Sequence, residues 1–183
     1  MTPQLYMVLI GATPKGRHTE QHDVFFGIAN TVGALKPQME SFWPEAVGHM
    51  HLDAYSAIQY ANGYHVNIVP KTDSIISQAQ LYFINLGGYK QAEFDEFHYK
   101  MVIAATTKSQ AIKLAKETAF YKHTGFKGAE SHIDDKYGID IDDMHQINDI
   151  LAPNDNFKIV LQKTAVATNN NIKLGYFKWD KIK

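Results

Sequence analysis

The chain has no cysteine among its 183 residues. That absence excludes disulfides, a thiolate nucleophile and any zinc site built on sulfur. It also lacks a surplus of charge. The 18 Lys and Arg nearly cancel the 19 Asp and Glu, leaving a formal charge of −1. Nothing therefore drives the protein toward a phosphate backbone or an anionic lipid surface, and neither nucleic acid nor membrane is expected as a partner. No apolar run approaches the roughly 18 residues of a bilayer-spanning segment. The opening Met1-Thr-Pro-Gln-Leu-Tyr-Met-Val-Leu-Ile has no basic stretch leading into a signal-length apolar segment and reads as a first strand. A cytoplasmic location is expected, and nothing in the sequence excludes a homodimer.

What is present is a repeat. Hydrophobic residues at 45% and charged residues at 20% are those of a folded chain, long enough for one domain or two small ones sharing a core. Displaced by 76 positions, the sequence matches itself at Leu5/Leu81, Tyr6/Tyr82, Gly11/Gly87, Glu20/Glu96, His22/His98, Ala29/Ala105 and Thr31/Thr107. These seven identities fall within residues 5–31, where chance gives about one match in twenty. Small insertions then shift the offset. Phe42-Trp43 falls on Phe120-Tyr121, and His51-Leu52-Asp53 falls on His132-Ile133-Asp134. Two copies are too few for a solenoid. The expectation is an α+β fold: a tandem duplication of a β-β-α-β(-β) unit, with antiparallel sheets, one helix per repeat and pseudo-twofold symmetry. Repeat one is expected at 1–70, a linker at 71–80, repeat two at 81–162 and an extra C-terminal hairpin at 163–183.

Within each copy the pattern is coarse but readable. Leu5–Ile10 and Leu81–Leu86 are apolar runs ending at glycine, as buried strands do. His22–Ala29 and His98–Ala105 are second strands rich in β-formers. Apolar residues at 111, 112, 114, 115, 119 and 120 make a helical stripe. In copy one, Pro37 predicts a kink or a short helix beginning there. His51–Tyr60 with Tyr64–Val69, and Met144–Ile150 with Phe157–Gln162, read as hairpins, with Asn62-Gly63 as a type I′ turn in the first.

The runs Gly16-Arg-His-Thr-Glu-Gln-His-Asp-Val-Phe-Phe, Phe42-Trp-Pro-Glu, Glu96-Phe-His-Tyr-Lys and Ser131-His-Ile-Asp-Asp-Lys-Tyr-Gly also carry a resemblance. The sequence resembles a bacterial family of uncharacterised proteins in which one domain of unknown function occurs once or twice. That resemblance covers nearly all of residues 5–150, implies two copies here, and brings no activity or cofactor.

Function must be read from the duplicated polar residues. Glu20 and His22 are two apart, so on a strand they share a face about 6.6 Å apart along it. His51 and Asp53 stand in the same relation. Were the two strands neighbours, about 4.8 Å apart, two imidazoles and two carboxylates would converge. Such a set binds Zn²⁺, Mn²⁺ or Fe²⁺ with coordination positions left open. Without metal it could bind a small ligand, or serve as acid and base in a hydrolase or lyase. His18 would extend the run to His-x-Glu-x-His. Glu96, His98, His132 and Asp134 would be the counterparts in copy two. The competing reading is a structural or protein-interaction module in which the same residues form a buried, mutually hydrogen-bonded network. Weaker features have plainer readings. The acidic run Asp134-Asp135 through Asp142-Asp143 misses calcium-loop spacing and reads as a solvated loop. The glycines after the first strands read as tight turns. The lysines around Tyr176-Phe177-Lys178-Trp179 read as protection of an exposed edge strand.

Overall fold

The computed structural model describes residues 2–89, 92, 94–117, 141–167 and 169–183. The chain forms two compact units, one of Met1–Ser77 with Ile150–Lys183 and the other of Gln78–Asp149. In chain order the strands and helices are β1 (Gln4–Ala12), β2 (Gln21–Ala29), α1 (Lys36–Phe42), β3 (His51–Ala57), β4 (Tyr60–Ala61), β5 (Tyr64–Pro70), β6 (Gln80–Tyr89), β7 (Glu96–Ala105), α2 (Lys108–Lys116), β8 (Ile141–Gln146), α3 (Ile147–Ile150), β9 (Phe157–Lys163) and β10 (Ile172–Lys178). Among the described residues no helix is long and apolar enough to cross a membrane.

The first unit holds a four-stranded sheet in the order β10-β3-β1-β2 and a three-stranded sheet in the order β4-β5-β9, with every pairing antiparallel. Alternation along β1 sends Tyr6, Val8, Ile10 and Ala12 to one core, where Phe25 of β2 and Leu52 of β3 join them. Leu35 and Met39 close that core from the segment holding α1, and neither has exposed surface. Each such burial contributes about 1.5–3 kcal/mol relative to an exposed position. Thr31 begins the helical segment, its hydroxyl accepting a hydrogen bond from the Ala34 amide at 3.3 Å. Pro37 follows at the second position of α1, where a missing N–H costs nothing.

The second unit has a three-stranded antiparallel sheet in the order β7-β6-β8. Tyr82, Ile84 and Leu86 of β6 pack with Ile103 and Ala105 of β7 under Ala111 and Ala115 of α2. Thr107 caps α2, accepting from the Gln110 amide at 3.2 Å. With few helices on antiparallel sheets, the class is α+β.

Several pairings differ from expectation. Asn62-Gly63 does turn the chain through positive φ (26° and 93°), but it joins β4 to β5, and β3 belongs to the other sheet. The strand β9 pairs with β5, not with β8. The tail contributes no separate hairpin: β10 lies alone on the edge of β3. Apolar alternation identifies strands but cannot choose a partner some ninety residues away or more, and that choice decides where β9 and β10 pair. The part of the predicted helix beyond Glu117 lies outside the described residues.

Candidate metal centre

Glu20, His22, His51 and Asp53 do come together, by a route the spacing did not suggest. The strands β2 and β3 are not neighbours, because β1 lies between them. His22 and His51 sit opposite the same residue of β1 from its two sides, and that residue is Gly11. A Cβ at Gly11 would stand 2.4 Å from Nε2 of His51 and 2.4 Å from Oδ2 of Asp53. No real side chain fits there. The missing side chain is what lets groups from two strands roughly 9.6 Å apart meet over the middle one. Gly11 therefore lies inside a strand, and the tight turn expected there is corrected.

A bulge completes the arrangement. Leu9 pairs with Ala54 and Ile10 with Leu52, leaving Asp53 as the extra residue of β3. Bulges re-aim side chains in this way. Here Leu52 stays in the core while Asp53 turns its carboxylate over Gly11. Glu20 stands just before β2, and His18 lies in a bend, exposed and apart from the cluster. The His-x-Glu-x-His strand face is thus corrected: the strand begins only at Gln21.

The distances are short and the directions informative. Nε2 of His51 lies 3.1 Å from Oε1 of Glu20 and 3.3 Å from Oδ1 of Asp53. Nε2 of His22 lies 3.0 Å from Oδ2 of Asp53 and 3.5 Å from Oε2 of Glu20. Yet Nε2 of His51 and Oδ2 of Asp53 are buried atoms without a hydrogen bond. The His51 side chain is only 4% exposed, whereas those of Glu20 and His22 are about 40% open to solvent (43% and 39%). One ring covers the buried imidazole: Tyr176 of β10 lies against it with centroids 4.2 Å apart and planes at 32°. Gly175, at φ 141°, is in a conformation that side chains rarely adopt, and it lies within the irregularity of β10 opposite Asp53.

The second unit repeats part of this. His98 sits opposite Gly87 of β6, where a Cβ would stand 2.0 Å from Oδ2 of Asp142. Nε2 of His98 is 3.0 Å from that oxygen and 3.8 Å from Oε2 of Glu96. Asp142 occupies the bulge of β8, between Ile141 opposite Leu86 and Asp143 opposite Asn85. Sequence reading missed Asp142 and took its run for a solvated loop. The expected counterparts His132 and Asp134 lie outside the described residues. A usable signal existed: Asp140-Ile141-Asp142 also matches His51-Leu52-Asp53, at the larger offset of 89. Elsewhere in the first unit a cleft of about 640 Å³ opens beside the start of β1, lined by Leu5, Ile58, Val66 and Val160 among others. It lies at the opposite end of β1 from Gly11.

Antiparallel sheets with sparse helices, and a His-carboxylate cluster over a glycine, define an α+β protein with candidate metal-ligand sets at Glu20, His51 and Asp53 and at Glu96, His98 and Asp142. Residues 17–68 match a family described as a domain of unknown function, DUF1543. That span contains all four polar residues of the first cluster. The fold is similar to the crystal structure of protein Il1583 from Idiomarina loihiensis, with a TM-score of 0.62, 19% identity and 96% of each chain covered. No curated protein matches the chain.

Proposed function

We propose that this protein binds a divalent transition metal at Glu20, His22, His51 and Asp53, with a lesser counterpart at Glu96, His98 and Asp142. The observation that carries the reading is the buried Nε2 of His51, facing two carboxylate oxygens without hydrogen-bonding to either. A proton shared along a hydrogen bond wants one straight line; a cation wants donors converging on a point between them. Zn²⁺ holds imidazole nitrogen and carboxylate oxygen at about 2.0–2.1 Å, so donors on a tetrahedral edge stand roughly 3.3 Å apart. The four nitrogen–oxygen separations, 3.0 to 3.5 Å, bracket that value. Two adjacent carboxylates also repel each other when ionised, and a divalent ion relieves that repulsion. Nitrogen and oxygen donors without sulfur favour Zn²⁺, Mn²⁺ or Fe²⁺. Such an ion supplies Lewis acidity and lowers the pKa of bound water, and the exposed side of Glu20 and His22 leaves room for that water or a small ligand. The shared glycine, histidine, glutamate and bulged aspartate also support descent of the two units from one duplicated segment.

The structural-network reading fits less well, since only His51 is buried and its Nε2 is unsatisfied. Plasma mass spectrometry of untagged protein purified without chelator tests the choice. Zinc, manganese or iron should be found at one ion per chain or more, and the amount held by the first unit should fall in His22→Ala and in His51→Ala. Metal-free protein that takes up no ion on titration, together with early melting of both variants, would instead establish the structural network.

A further inference from the structure

The oxygens of the first cluster are divided between the two imidazoles in an orderly way. His51 faces Oε1 of Glu20 and Oδ1 of Asp53. His22 faces the other oxygen of each, Oε2 and Oδ2. Each carboxylate thus offers one oxygen to each histidine. A single ion would draw both imidazoles and one oxygen of each acid to one point. Here the four nitrogen–oxygen contacts fall into two sets, each with one nitrogen and two oxygens, linked through the two carboxylates. That is the ligand set of a binuclear centre, whose ions stand about 3.5–4 Å apart.

Resting on the metal-binding reading above, we infer that the first unit holds two divalent ions bridged by Glu20 and Asp53, one on His51 and one on His22, whereas the second unit holds one. The second unit supports the division. His98 faces Oε2 of Glu96 and Oδ2 of Asp142, which reproduces the His22 half. At the position matching His51, two residues before Asp142, the sequence has Asp140. The halves also differ in setting. The His51 ion would lie in the buried part of the cluster beneath Tyr176, and the His22 ion at its open face. Two divalent ions outweigh two carboxylates by two positive charges. The centre would therefore take an anionic ligand across both metals, hydroxide or an oxyanion such as phosphate or a carboxylate.

Manganese separates the outcomes, because bridged Mn²⁺ pairs are exchange-coupled and their paramagnetic resonance spectrum differs from that of isolated ions. The full chain carrying Glu96→Gln and His98→Ala silences the second unit. Loaded with Mn²⁺ and desalted, it should retain two ions per chain with a coupled spectrum. Adding His51→Ala should reduce this to one ion with an uncoupled spectrum, circular dichroism confirming that the variant is folded. If that variant is unfolded, His51→Gln takes its place. One uncoupled ion before His51 is changed would overturn the binuclear centre while leaving metal binding intact. No retained ion would overturn both.

Discussion

The two units build their polar clusters on the same frame and finish them differently. Each has a glycine on its central strand, a histidine opposite it, a glutamate two residues before that histidine, and an aspartate in the bulge of the next strand. Among the described residues only the first adds a buried histidine to its cluster, and there β10 extends the sheet on the far side of β3 and lays Tyr176 on the His51 ring. In the second, the described residues form a sheet of three strands, and all three cluster side chains remain about a third exposed (27–38%). Among the described residues, the frame alone leaves the second cluster open to solvent. Covering the first takes a strand from the end of the chain, which lowers the local dielectric and strengthens every charge interaction within.

The largest difference between the units should follow from changes at their glycines. Gly11→Ala places a methyl group onto His51 and Asp53 and should weaken metal binding by the first unit by roughly 10- to 100-fold, leaving the second intact. Gly87→Ala should do the reverse. Calorimetric titration with Zn²⁺ reads both, and an alanine tolerated at either position without loss would mean that the clusters do not meet as described. A smaller effect is expected at Tyr176. Removing its ring in Tyr176→Ala forfeits a stacking contact worth about 0.5–1.5 kcal/mol, so affinity at the first unit should fall roughly 3- to 10-fold. Equal loss at both units would show that the ring acts through the fold and not on His51. Smallest is the effect of the helix caps. Thr31→Ala and Thr107→Ala should each cost about 1 kcal/mol and lower Tm by about 2–4 °C, with metal content unchanged. That last result separates repeated residues that cap helices from repeated residues that hold a ligand.

The identities between the copies thus have distinct physical origins. Leu5 and Leu81 are buried, Tyr6 and Tyr82 are core, and Thr31 and Thr107 cap helical segments. Gly11 and Gly87 leave space, while Glu20, Glu96, His22 and His98 fill it with polar atoms. All were visible because β1 and β2, like β6 and β7, are joined without a relative insertion, so one offset aligns them. Beyond that point the copies diverge in length, so His132-Ile133-Asp134 and Asp140-Ile141-Asp142 both align with His51-Leu52-Asp53 at different offsets, and the first of these lies outside the described residues.

Local sequence, then, determined most of the strands, though Ile147–Ile150, read as strand, is helix; it also determined which polar residues recur, because alternation, capping and turn chemistry act over a few neighbours. Tertiary structure decided the rest. It placed β1 between β2 and β3, so that a glycine became the floor of the cluster. It put Asp142 in the bulge and sent β9 and β10 to the first unit. Pairing between strands far apart in sequence is set by which faces can be buried together, and no short window of residues contains that information.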